Sequence, residues 1–161
     1  MKLLLSITFC LFLMSCIAQP VRLYNLEADA FADISKGLVR AKAENKHLFL
    51  QIGGNWCPWC VKFHNFCANN KSIDSLMNKS YVSIKVNYSK ENRNYGILKK
   101  LGYPQRFGFP VFVILNKNGE RIHTQNSAYI EESDSYSKKK VFEFLNNWTP
   151  DALDPNLYKE K

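Results

Sequence analysis

The sequence predicts an α/β domain in which a central mixed β-sheet carries helices on its faces. Three observations lead there. Short β-branched or alternating apolar runs at 47–52, 81–87 and 111–115 are separated by segments whose apolar residues recur every three or four positions. The third run is followed by Asn118-Gly119, a hairpin signal, so the next strand returns antiparallel. The chain has 161 residues, 46% of them hydrophobic and 14% aromatic, which fills one core and leaves too little for two comfortable domains. Strands alternating with helices, then a hairpin and a closing helix, describe a sheet sandwiched between helical layers.

The elements follow in order. Residues 26–45 read as an amphipathic helix with Phe31, Ile34, Leu38 and Ala41 on its apolar stripe. Residues 47–52 form a short strand stopped by Gly53-Gly54. Pro58 stands where a helix would begin, because a first helical residue needs no N–H partner, and that helix runs through Val61, Phe63 and Phe66 to Asn69. Residues 71–78 form a further short helix with Ile73, Leu76 and Met77 inward. Residues 81–87 alternate as a strand, 91–101 read as helix, 111–115 as a buried strand and 120–124 as its returning partner. The last helix covers 137–148 with Val141, Phe142, Leu145 and Trp148 on one face, and 150–161 read as a loose tail. The folded domain is therefore expected over 24–149, with neither an internal repeat nor a low-complexity linker.

The first 18 residues are set apart as an export signal. Lys2 precedes an uncharged, Leu/Phe-rich run from 3 to 18, short of the roughly 20 residues a spanning helix needs. Two processing routes compete. Leu13-Met14-Ser15-Cys16 resembles a lipobox, in which Cys16 is lipidated and becomes the new N-terminus; cleavage after Ala18 would instead leave a soluble chain. The lipobox reading is preferred, and either route places the domain in the periplasm or on a membrane facing it. The formal net charge of +8 is spread along the chain, as on a solvated surface. Lys138-Lys139-Lys140 is read the same way, as are His47 and His123 at strand ends. No nucleic-acid partner is expected, membrane contact is expected only through the lipid anchor, and the protein is expected to be a monomer.

Of five cysteines, Cys10 leaves with the signal and Cys16 leaves or is lipidated, so Cys57, Cys60 and Cys67 remain. Three cysteines do not make a structural disulfide framework, and an exported chain with one close pair points to redox chemistry. Trp56-Cys57-Pro58-Trp59-Cys60 follows a strand and two glycines and opens a helix. A helix N-terminus offers unpaired N–H groups and partial positive charge, which stabilise a thiolate. Cys57 is thus expected to be the exposed, attacking thiol, and Cys60, one turn further in, the resolving thiol that closes a disulfide with it. A zinc half-site would need further ligands, for which only His64 and Cys67 are near, so neither a metal nor any cofactor beyond the Cys57–Cys60 disulfide is expected. Cys60, His64 and Cys67 share a helix face; Cys67 is read as a small buried hydrophobe and His64 as an exposed helix residue. Of the two tryptophans, Trp59 is expected to form an apolar rim that grips substrate and Trp56 to pack the loop.

These residues resemble the thioredoxin family. The strand before the dithiol, the Trp-Cys-x-x-Cys element, Lys85-Val86-Asn87, Gly108-Phe109-Pro110 ahead of the buried strand, and Asn118-Gly119 occur in the order of that fold, over residues 26–149. A long first helix and the extra helix after the active-site helix resemble exported members with a WCxWC-type motif. The resemblance implies a cis bond before Pro110, with Phe109 and Pro110 packed beside the dithiol and presenting backbone to an extended substrate. It also implies a buried acid in the strand before the dithiol, but Gln51 stands there and cannot ionise. Lys85 matches the family's lysine on the next strand; left unpaired it would be costly, so it is expected to snorkel, to bond Gln51, or to help hold a thiolate. Pro58-Trp59 matches neither reductant nor oxidant dipeptides, which leaves a reduction potential anywhere between about −270 and −120 mV.

The function implied is thiol–disulfide exchange on exported proteins, with reductase activity or general interchange favoured, acting on protein thiols and disulfides and served by a redox partner protein. The competing reading is a binding or chaperone-like lipoprotein module of the same fold without turnover, against which both intact cysteines speak. A metal- or haem-delivery role lacks any second Cys/His or Met-rich cluster.

Overall fold

The computed structural model describes residues 22–159. The signal segment, Cys10 and the lipidation candidate Cys16 lie outside the described residues. A four-stranded sheet of order β2-β1-β3-β4 is built from β1 (His47–Gly53), β2 (Tyr81–Asn87), β3 (Val111–Leu115) and β4 (Arg121–Asn126). β1 runs parallel to β2 and antiparallel to β3, so the sheet is mixed as expected. Among the described residues no helix is long and apolar enough to cross a membrane.

Period-two alternation splits β1 between two cores. Leu48, Leu50 and Ile52 face a layer made by α1 (Ala30–Ala43) and α4 (Tyr95–Lys100). Phe49 faces the other layer, where α2 (Pro58–Asn69), α3 (Lys71–Ser80) and α5 (Lys138–Asn147) enclose an aromatic cluster of Phe49, Phe63, Phe112 and Phe144. Gln51 lies on the same face of β1 as Phe49 and is fully buried. The register sets Gln51 opposite Lys85 on one side and Phe112 on the other.

α1 starts four residues later than its periodicity suggests, because the Asp29 carboxylate caps it by accepting from the Phe31 and Ala32 amides. Its buried stripe is Ala30, Ile34, Gly37 and Ala41; a Cβ on Gly37 would come within 2.5 Å of Ile84 and 2.8 Å of Leu48, so glycine lets the helix approach the sheet. Phe31, expected inward, is 49% exposed and leans over Gly96 instead. α4 is shorter than the 91–101 segment expected, since Asn94 adopts a left-handed conformation (φ 49°) and the helix begins only after it. On α5 the inward aromatic is Phe144 rather than Phe142, because Val141, Phe144 and Leu145 share the stripe at spacings of three and four.

Further differences come from tertiary contacts. A small hairpin of β5 (Glu131–Glu132) and β6 (Ser135–Tyr136) buries Tyr136 against α2. His47 and His123 are not surface residues: the His47 ring bonds the Trp148 carbonyl at 2.9 Å, and His123 stacks on the Trp148 ring with centroids 4.3 Å apart. Residues 149–159 are not loose. A turn held by Thr149 leads to a short 3-10 helix at Pro155–Tyr158, and Asp151 pairs with Lys79 at 2.8 Å.

Candidate functional site

The site forms where β1 gives way to α2. Cys57 is the N-cap of α2 and Pro58 its first helical residue, as the sequence implied. Cys57 and Cys60 are joined by a disulfide, with Cα atoms 5.3 Å apart. The Cys60 amide donates to Cys57 Sγ at 3.2 Å, and the first turn of α2 holds no acidic residue. A thiolate at Cys57 would therefore meet an N–H donor and the positive helix end with no opposing carboxylate on that turn. The expectation of an exposed Cys57 is corrected: it is 3% exposed against 0% for Cys60, because Tyr24, Leu23, Trp59 and Phe109 close around the pair.

The two tryptophans differ from expectation in exposure, Trp56 being the exposed ring and Trp59 the partly buried one. Trp56 is 54% exposed, its indole N–H donates to the Tyr88 carbonyl at 2.6 Å, and its ring meets Phe109 edge-on. Gly54 makes this possible, since a Cβ there would lie 2.3 Å from Trp56 Nε1. Trp59 instead packs edge-on against Tyr136, whose hydroxyl donates to the Trp59 carbonyl, and carries the Lys62 ammonium over its ring. Trp56 borders a groove of about 540 Å³ shared with Arg22, Tyr88 and Arg93.

The Phe109–Pro110 bond is cis, Pro110 is buried, and Phe109 packs against the disulfide and stacks on Tyr88. Gly108 precedes them at φ 85°, a conformation that favours glycine.

Behind the disulfide, Lys85 Nζ donates to Gln51 Oε1 at 2.6 Å, so of the three fates open to this lysine it takes the bond to Gln51. Gln51 Nε2 donates to the Cys60 carbonyl and to the Tyr24 hydroxyl, each at 2.9 Å. Tyr24 was not legible as a site residue, because it precedes every periodic element. Its backbone is clamped by Asn55, which accepts from the Tyr24 amide and donates to the Tyr24 carbonyl.

Burial pushes the Cys67 thiol up to about 12, so it is a protonated core residue beside Phe63 and Ile73, as expected. His64 is half-buried rather than exposed; desolvation and then the Lys85 charge lower its pKa. Among the described residues no three His, Cys, Asp or Glu side chains group as a metal site.

Desolvation pulls Lys85 down to about 8 from its ordinary 10.5. Between these values the unfolded chain binds the proton and the folded chain does not, so the lysine's burden on stability is full below about 8 and lifts as pH rises toward 10.5. Relative to Lys85→Met, the protein should gain stability across that window by up to about 3 kcal/mol, read by urea unfolding at pH 7.5 and pH 10. A difference between the two proteins that does not change with pH would show that Lys85 is not desolvated.

A family model described as Thioredox_DsbH, protein of unknown function DUF255, matches residues 4–151. The chain belongs to this family. Spermatogenesis-associated protein 20 from Rattus norvegicus is 38% identical, and its Homo sapiens counterpart 36%, over 47 residues that make up 29% of this chain and 6% of those proteins. A solved disulphide isomerase from Xylella fastidiosa Temecula1 superposes with TM-score 0.69 at 24% identity, over 79% of this chain and 96% of that one. The oxidised C-terminal domain of Neisseria meningitidis DsbD gives 0.54 at 17%, over 74% and 96%, and a Thermus thermophilus thioredoxin 0.52 at 17%, over 70% and 81%. The Thioredox_DsbH chain thus has a thioredoxin-like α/β fold, a mixed four-stranded sheet flanked by helices, with a CxxC disulfide at the start of α2.

Proposed function

We propose that this chain is a thiol–disulfide oxidoreductase whose working group is the Cys57–Cys60 pair. The observation that carries this is the disulfide seated at the N-terminus of α2, with Cys57 Sγ held by the Cys60 amide. In the reducing direction, Cys57 as thiolate attacks a substrate disulfide, forms a mixed disulfide and expels one substrate sulfur. Cys60 then attacks Cys57 Sγ, the second substrate sulfur leaves as thiolate, and the chain's own disulfide closes. Run backwards, the same steps oxidise a dithiol. A redox partner protein resets the pair.

Trp56, Phe109 and the neighbouring groove offer an apolar surface on which protein substrates can lie, which favours protein disulfides over small thiols. The direct test is reduction of insulin disulfides with dithiothreitol as electron source. Turnover above the dithiothreitol background is expected, and a rate equal to that background would favour a binding module without turnover.

The substrates proposed are exported proteins, and the charge-free run at 3–18 supports this. Mass spectrometry of the native protein should find a lipidated terminus at Cys16 or a terminus at Gln19. An intact Met1 terminus on a cytoplasmic protein would refute export.

A further inference from the structure

We infer that the Tyr24 hydroxyl is the hydrogen-bond donor that receives Cys60 as a thiolate when the disulfide opens, with Lys85 and Gln51 as the positioning residues that aim it. The inference rests on the dithiol reading above and concerns the buried half of that site.

Hydrogen-bond direction forces the arrangement. Lys85 Nζ has only donors, so the Gln51 side chain must turn Oε1 toward it and Nε2 away. Nε2 spends its two hydrogens on the Cys60 carbonyl and on Tyr24 Oη. Tyr24 Oη is thereby an acceptor for Gln51, and its own hydrogen is free to point elsewhere. Cys60 Sγ borders the same space: it and Tyr24 Oη stand 2.3 Å and 2.9 Å from the point a Cβ on Gly53 would occupy, a point that glycine leaves empty. Lys85, Gln51 and Tyr24 therefore form a bonded row that runs from a cation on β2, through an uncharged amide, to a phenol near the sulfur on α2.

Placement supports the role. Tyr24 belongs to no helix or strand, yet it is 2% exposed and packs with Cys57 and Cys60 alone among the buried residues of its cluster. The paired bonds to Asn55, next to the redox motif, hold it there. Burial raises the phenol above its ordinary value, so it stays a donor wherever a thiolate could form. The other titratable groups around this corner are Lys85 on β2, His64 and Cys67 on α2, and Tyr136 on β6, and burial keeps both Cys67 and Tyr136 protonated.

In chemical terms, a reductant thiolate bonds to Cys57 Sγ, the Cys57–Cys60 bond breaks, and its electron pair leaves on Cys60 Sγ. The Tyr24 O–H turns to that sulfur, and the Lys85 charge, relayed by Gln51, polarises the hydroxyl. A carboxylate at position 51 would instead set a negative charge behind the departing sulfur. With Gln51 the corner favours the thiolate.

The test reads Cys60 directly, in Cys57→Ser protein, by thiolate absorbance at 240 nm against pH. Adding Tyr24→Phe should raise the Cys60 pKa by about one unit, a tenfold loss of acidity. Gln51→Glu should raise it as well. If Tyr24→Phe does not fold, as judged by near-UV circular dichroism, Asn55→Ala keeps the hydroxyl while freeing its segment and should shift Cys60 in the same direction. A Cys60 titration unmoved in whichever of Tyr24→Phe and Asn55→Ala folds would overturn the inference. Because the readout is a titration and not turnover, it stands apart from the insulin assay, whose failure would sink the oxidoreductase reading instead.

Discussion

Cys60→Ser protein is expected to accumulate as a covalent complex with its substrates, while Cys57→Ser forms none and falls to the uncatalysed rate of insulin reduction. The asymmetry follows from position. Cys57 caps α2 and its sulfur accepts the Cys60 N–H, so removing the Cys60 thiol leaves that amide and the helix end in place to hold a Cys57 thiolate. The mixed disulfide then forms and finds no resolving sulfur. Cys60 has no exposed surface, and without Cys57 it meets no incoming disulfide. Non-reducing gels of each variant after incubation with an oxidised substrate decide the matter; complexes on Cys57→Ser in place of Cys60→Ser would reverse the assignment.

The second large effect is on stability. Phe112→Ala should cost about 3–5 kcal/mol, against less than about 1.5 kcal/mol for Phe112→Leu. Phe112 is fully buried at the centre of the aromatic layer, 4.2 Å from the Phe63 ring centroid, 5.4 Å from that of Phe49 and 6.1 Å from that of Phe144. Phe63 lies one turn after Cys60 on α2, and Phe112 pairs in register with Gln51, so this ring also seats the helix and the strand that make the site. Urea unfolding reads the loss as a lower midpoint with an unchanged slope. A loss below 1 kcal/mol for the alanine variant would mean the layer is not packed as described.

How far the sequence reaches is clearest around the motif. The strand, the Gly53-Gly54 stop and Pro58 lie within a dozen residues of Cys57, and local rules of periodicity and capping placed the start of α2 at Pro58 and its end near Asn69. The cis Phe109–Pro110 bond followed from the family resemblance and not from spacing. The exposure of Trp56 and the packing of Trp59 had no local signal. They depend on the Tyr88 carbonyl, 32 positions from Trp56, and on Tyr136, 77 positions from Trp59. Tyr24 was hidden for the same reason: its partners Gln51 and Asn55 lie 27 and 31 positions away, and no periodicity marks a residue outside regular structure. Gln51 was legible as a departure from the thioredoxin pattern, but what it bonds to became visible only in three dimensions. Phe31 and Phe142 show a related limit, since a helical stripe about 100° wide admits neighbours at its edge that the fold turns outward.

An exchanging Cys57–Cys60 pair and a structural staple differ in reduction potential. Equilibrating the protein in graded dithiothreitol and glutathione buffers, and counting alkylated Cys57 and Cys60 by mass, measures its reduction potential. For an exchanging pair a single two-electron transition between about −270 and −120 mV is expected. A pair that stays oxidised below about −300 mV, in the range of structural disulfides, would contradict it.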